Sequence, residues 1–177
     1  MITKKQRTAL HEPASVTFVG LVAGTAVGST DTAILRWITA AQTVVGAYFT
    51  VTDSATLGTT ILIATPGHYV ATVMLPQVAS TSLLMGMSLG GTTTPRTANP
   101  ALGTNGVFAT SGPHTLAAAT AMGQVLCVPF DLLDSQIDGT NNLFRFWATN
   151  NAAGSPEPSI TEAGAWARIV RCGDLGG

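Results

Sequence analysis

An all-β domain, an antiparallel sandwich or barrel, is the fold class this sequence predicts, on three observations. Runs of β-branched and aromatic residues recur along the chain, and most are bounded by Gly, Pro, Asn or Asp, which favour turns. Helix caps and 3.6-residue apolar periodicity are scarce. Charged residues make up 10% of the chain and apolar residues 46%. Soluble domains usually carry about 25% charge, so polar positions here fall to Thr, Ser, Asn and Gln, which suit strands and turns. A length of 177 residues fits one domain with a full core.

Residues 1–12 read as an extended N-terminal arm, basic at its start and closed by Pro13, ahead of a single β-sandwich domain over 13–177. The first strand is expected at Ser15–Gly20. Ala33–Thr39 and Thr43–Thr52 follow, with a turn at Asp53–Gly58. The clearest signal is the pair Gly58–Thr65 and Gly67–Leu75, separated by Pro66-Gly67, a dipeptide that favours tight reversal. In the second run Tyr69, Ala71, Val73 and Leu75 share one face, and His68, Val70, Thr72 and Met74 the other; Pro76 is expected to end it. Ser80–Leu89 is the next strand, stopped by Gly90-Gly91. Thr92–Leu116 reads as irregular, and a loop that long inside a compact domain usually has a function. Ala117–Ala121 reads as a helical turn or an Ala-rich loop. Strands resume at Gly123–Pro129, Asn142–Asn150 and Ala165–Cys172. Trp37, Tyr48, Phe49, Tyr69, Phe144, Phe146, Trp147 and Trp166 lie inside these runs and are expected in the core.

The few charges are unevenly placed. Lys4 and Lys5 are the only lysines, Arg7 follows at once, and the later cations are Arg36, Arg96, Arg145, Arg168 and Arg171. Free monomers carry surface charge against self-association, and interface cores are depleted in Lys, Glu and Asp. This chain is therefore expected to cover much of its surface with permanent protein contacts. A net charge of −1 gives no broad basic surface, so nucleic acid is not an expected partner. The apolar stretch Val16–Val27 behind the basic residues looks superficially like a secretion leader. His11, Glu12 and Pro13 interrupt it, Thr and Gly dilute it, and it is too short to cross a bilayer, so it reads as strand and turn with no membrane partner. Cys127 and Cys172 show no C-x-x-C spacing; they could pair if their strands are neighbours, but nothing in the spacing requires it, and free, buried thiols are the expectation.

No arrangement of residues points to catalysis, a metal or a cofactor. Gly86-Met87-Ser88-Leu89-Gly90 matches the G-x-S-x-G nucleophile elbow, but that motif works at a strand-to-helix turn and no helical pattern follows. The only later histidine, His114, also precedes the acids Asp131, Asp134 and Asp138, the reverse of the order that chemistry uses. Those three aspartates lack EF-hand spacing and read as turn formers. His11, His68 and His114 have no close metal-type partner in sequence. The expectation is a non-enzyme with no cofactor. The candidate site is the cluster Lys4, Lys5 and Arg7, which would bind an acidic groove on another protein; three charges are too few to package a genome.

Gly67-His68-Tyr69-Val70 opening a long strand, the Thr/Ser/Gly-rich strands around it and the closing Ala167-Arg168-Ile169-Val170-Arg171 carry a resemblance. They resemble small jelly-roll structural proteins of tailed phages, namely capsid decoration (cement) proteins and tail-fibre heads. The heads of complement C1q and tumour necrosis factor share a Gly-x-Tyr strand of this kind. The resemblance covers roughly 13–172 and implies a jelly-roll sandwich that often assembles as a trimer, with no catalytic residues to carry over. The function it implies is a virion structural protein. The first expectation is a decoration protein on the capsid surface, trimeric and bound to a major capsid protein. A receptor-binding fibre or spike head stands second, disfavoured because the fold starts within about fifteen residues of Met1. A shell-forming single jelly-roll capsid protein stands third, disfavoured by the thin basic arm.

Overall fold

Period-two alternation sorts this chain into two layers. The computed structural model describes residues 14–28, 33–78, 82–90, 106–111, 114–115, 122–150 and 160–175. Its strands are β1 (Ala14–Val19), β2 (Thr43–Val45), β3 (Phe49–Ser54), β4 (Gly58–Ile63), β5 (Gly67–Gln77) and β6 (Ser82–Leu89), then β7 (Val107–Thr110), β8 (His114–Thr115), β9 (Met122–Leu132), β10 (Leu143–Asn150) and β11 (Trp166–Gly173). One sheet has the order β2-β1-β11-β5-β9 and the other β3-β4-β10-β6-β7, with β8 also on β6. All ladders are antiparallel, and the two sheets form a jelly-roll sandwich. Helical structure among the described residues is limited to three single 3-10 turns.

The core lies between the sheets. Val16 and Phe18 of β1, Tyr69, Ala71, Val73 and Leu75 of β5, and Ala167 and Ile169 of β11 meet Ile61 and Ile63 of β4, Met85 and Met87 of β6, and Phe144, Phe146 and Ala148 of β10. Each fully buried large side chain contributes about 1.5–3 kcal/mol. An aromatic chain runs through this layer: Phe18–Trp37 at 5.7 Å, Trp37–Phe146 at 6.0 Å, Phe146–Phe144 at 4.9 Å, Phe144–Phe130 at 5.3 Å and Phe130–Tyr69 at 5.4 Å. The expected faces of β5 are realised, with Tyr69, Ala71, Val73 and Leu75 inward and His68 exposed.

Several expected boundaries are wrong for identifiable reasons. Thr43–Thr52 is not one strand: β2 and β3 belong to different sheets. The break is at Gly46, whose φ of +79° an L side chain rarely adopts and whose added Cβ would sit 3.2 Å from the Ala14 Cβ. Ala33–Thr39 forms no continuous ladder. Its residues bridge singly, Ile34 to Trp147, Leu35 to Val27 and Trp37 to Leu21, before a 3-10 turn at Thr39–Ala41. Pro66-Gly67 carries the chain from one sheet to the other rather than closing a hairpin.

Pro76 does not end its strand. It stays in register opposite Gly123, and its carbonyl accepts the Thr161 N–H at 2.8 Å. Pro129 likewise sits inside β9, which runs on to Leu132; β9 is the outermost strand of its sheet, where the missing N–H costs no ladder bond. The expected irregular stretch Thr92–Leu116 contains β7 and β8. The arm Met1–Glu12, with Lys4, Lys5, Arg7 and His11, and the segment Ala117–Ala121 lie outside the described residues.

Candidate functional site

β9 and β7 end the strand orders of their sheets, and the contact between Phe108 and Phe130 brings these two edges together on one flank of the sandwich. On the inner side of β9, Leu126, Val128 and Phe130 are only partly buried, and Phe108 of β7 meets Phe130 at 5.4 Å. On its outer side Val125, 57% exposed, alternates with exposed Cys127 and Pro129. From Gly123 to Phe130 the strand presents apolar or neutral groups on both faces, and its first charge is Asp131. An edge strand of this kind templates association unless something covers it.

The outer face of the five-stranded sheet is a second, differently oriented patch that reaches the outer side of β9. Register aligns Val19, Trp166, Met74 and Val125 in one row, Thr17, Arg168, Thr72 and Cys127 in the next, and Ser15, Val170, Val70 and Pro129 in a third. Exposed Arg168 is the one charge in these rows. Cys127 accepts a hydrogen bond from the Thr72 hydroxyl at 3.3 Å. Neither cysteine is buried, contrary to expectation: both are free and exposed, because each occupies an outward position of its strand. They are also separated by β5, which lies between β9 and β11.

The charged groups are mostly tied to one another. His68 and Asp131 face each other across β5 and β9, with Nδ1 2.6 Å from Oδ1. Arg36 pairs with Asp53 at 3.0 Å. Arg171 pairs with Asp174, donates to the Pro66 carbonyl at 3.2 Å and lies 5.1 Å over the Tyr48 ring. Burial acts to lower the Arg171 pKa, but Asp174 and Tyr69 together outweigh it and the net displacement is upward. Asp138 is held below the usual carboxylate range by the backbone N–H groups of Asn141 and Thr140, at 2.7 and 2.8 Å. It is the turn former its sequence position suggests. Asp134 begins the 3-10 turn Asp134–Gln136. Among the described residues no three His, Cys, Asp or Glu side chains converge as metal ligands.

Ser88 sits near the end of β6, 1% exposed and directly opposite Arg145 of β10. It therefore lacks the exposed strand-to-helix position of a nucleophile elbow. The two glycines of its motif have structural roles. A Cβ on Gly86 would lie 2.3 Å from the Trp147 indole, and Gly90 adopts φ +69°.

The feature that sequence reasoning missed is a buried polar row on the outer face of the six-stranded sheet. Ser88 Oγ, Arg145 Nε, Trp147 Nε1 and Thr149 Oγ1 are all buried without a hydrogen-bond partner among the described residues. The guanidinium of Arg145, 5% exposed, donates through Nη1 to the Gly90 carbonyl at 3.0 Å, and desolvation lowers its pKa. The alternation in Leu143–Asn150 gives the two faces of β10, but nothing local shows that both are covered.

No family model and no curated protein matches this chain. Solved structures do. Murine APRIL superimposes with a TM-score of 0.55 at 10% identity, covering 90% of this chain and 99% of that one. The PRD1 vertex protein P5 gives 0.52 at 11% identity, over 94% and 99% of the two chains. Eiger TNF from S. frugiperda gives 0.52 at 11% identity, over 94% and 97%. At these identities the likeness establishes a shared jelly-roll fold.

Proposed function

We propose that this chain is a virion structural protein, a capsid decoration protein that assembles as a homotrimer and binds the major capsid protein on the outer shell. The observation that carries the self-association is β9: an edge strand, apolar on both faces, beside the half-open aromatic pair Phe108 and Phe130. The flank and the outer face of the five-stranded sheet are two different patches of one molecule. Seating the flank of one copy on the sheet face of the next is a heterologous contact, which closes into a ring when the rotation allows. Three copies agree with the trimers that the jelly-roll resemblance implies. The virion setting is supported by the fold shared with the PRD1 vertex protein and by a charge content of 10%. Lys4, Lys5 and Arg7 are the groups proposed to reach an acidic groove on the shell. No catalytic role is proposed for Ser88, whose hydroxyl is buried.

Two measurements test the reading. Light scattering is expected to give a trimer, and a stable monomer at tens of micromolar would remove the self-association. Electron microscopy of the native particle is expected to show the chain on the capsid lattice. Density for it at a tail tip would favour a receptor-binding head instead.

A further inference from the structure

We infer that Arg145 and Ser88 together form a receptor for an oxyanion, a carboxylate or a phosphate group, within the six-stranded sheet. Arginine keeps its charge in proteins, so burial cannot be relieved by losing a proton. A buried cation without a counter-ion is strongly disfavoured, and such groups are normally paired. Among the described residues the carboxylates that form ion pairs are committed elsewhere: Asp53 to Arg36, Asp131 to His68 and Asp174 to Arg171. Asp138 is held by its own turn. Among the described residues Arg145 has only neutral acceptors, the carbonyls of Gly90 at 3.0 Å and Leu143 at 3.5 Å, both on Nη1. Its Nε–H has none.

The second orphan is opposite the first. Ser88 and Arg145 are direct partners in the β6–β10 ladder, which places their Cβ atoms on one face about 4.5–5.5 Å apart. One oxyanion can accept from the Nε–H and the serine hydroxyl at once. That would neutralise the guanidinium and satisfy both atoms, and charge-assisted bonds of this type are about twice as strong as neutral ones. Neither atom is open to solvent, so the anion enters through local opening of the packing, and binding is slow as well as saturable. The shared chemistry admits two sources, free phosphate or a carboxylate side chain presented by a bound protein.

Nuclear magnetic resonance of the arginine Nε–H groups in the full chain tests this. Sodium phosphate and sodium acetate are titrated at constant ionic strength against sodium chloride. The Arg145 resonance is expected to shift saturably, and the thermal midpoint to rise with it. Ser88→Ala should weaken binding fivefold or more, and Arg145→Met should abolish the rise in midpoint. If Arg145→Met does not fold, the wild-type and Ser88→Ala titrations decide alone. A response to phosphate only assigns the site to phosphate; a response to acetate assigns it to carboxylates, and hence to a protein side chain. An Arg145 resonance and a midpoint that answer phosphate and acetate no more than chloride would overturn the inference.

Discussion

Gly86 and Trp147 contend for the same volume, since a Cβ at position 86 would lie 2.3 Å from the indole and 2.4 Å from the Ala109 carbonyl oxygen. Backbone on one side and a fully buried ring on the other leave little room to give. Gly86→Ala is therefore expected to destabilise the fold by about 1–3 kcal/mol, the usual cost of overpacking, read as a lower urea midpoint with an unchanged slope. Ser88→Ala should behave oppositely. It removes a buried hydroxyl that has no partner among the described residues, so stability should hold or rise slightly, and any esterase turnover of the preparation should be unaffected. Tyr69 gives a pH dependence. Burial raises its pKa above the usual tyrosine value of about 10, with the nearby Arg171 only partly offsetting this. The native state thus holds its proton longer than the unfolded chain. The phenol contributes full stability below pH 10, and that contribution falls as pH rises from there through the native pKa. Urea denaturation at pH 9 and 11 should show this loss in the wild type and a smaller one in Tyr69→Phe. Tyr69→Phe also gives up the 2.6 Å bond from the hydroxyl to the Thr65 carbonyl.

At the scale of elements, β9 is where the proposed assembly can be tested apart from folding. Val125 points out of the sheet and supports no core residue, so Val125→Lys should leave the circular dichroism and melting of the subunit intact while shifting light scattering towards monomer. A protein that stayed trimeric would place the contact elsewhere. The strands were legible wherever alternation coincided with turn residues, as in Gly67–Leu75, whose inward set Tyr69, Ala71, Val73 and Leu75 is the observed one. Boundaries failed where long-range packing decided them. Thr43–Thr52 has strand composition throughout, and only the approach of Ala14 to Gly46 shows why the chain turns there. Pro76 looked like a stop because a local pattern does not reveal which neighbour its missing N–H would have faced. The buried pair of Ser88 and Arg145 was legible only as a motif fragment and a lone cation, because their meeting depends on the β6–β10 register.

For the whole molecule, the arm is the part predicted to act without folding. Deleting residues 2–12 should leave the thermal midpoint almost unchanged and weaken attachment to the particle, and added salt should weaken the wild-type contact in the same way, since exposed charges are screened. A truncated chain that failed to fold would make the arm an internal strand. Unchanged attachment would make it passive. The sheet order has its own consequence for biosynthesis. β11, C-terminal to every other described strand, lies between β1 and β5, and Ala14 pairs with Arg171. While the ribosome still holds the C-terminal segment, the five-stranded sheet exists as two halves with facing open edges, and pairings this distant in sequence form slowly. The newborn chain is thus adhesive until β11 emerges and pairs. Loss of even a few residues from β11 would leave that gap permanently open.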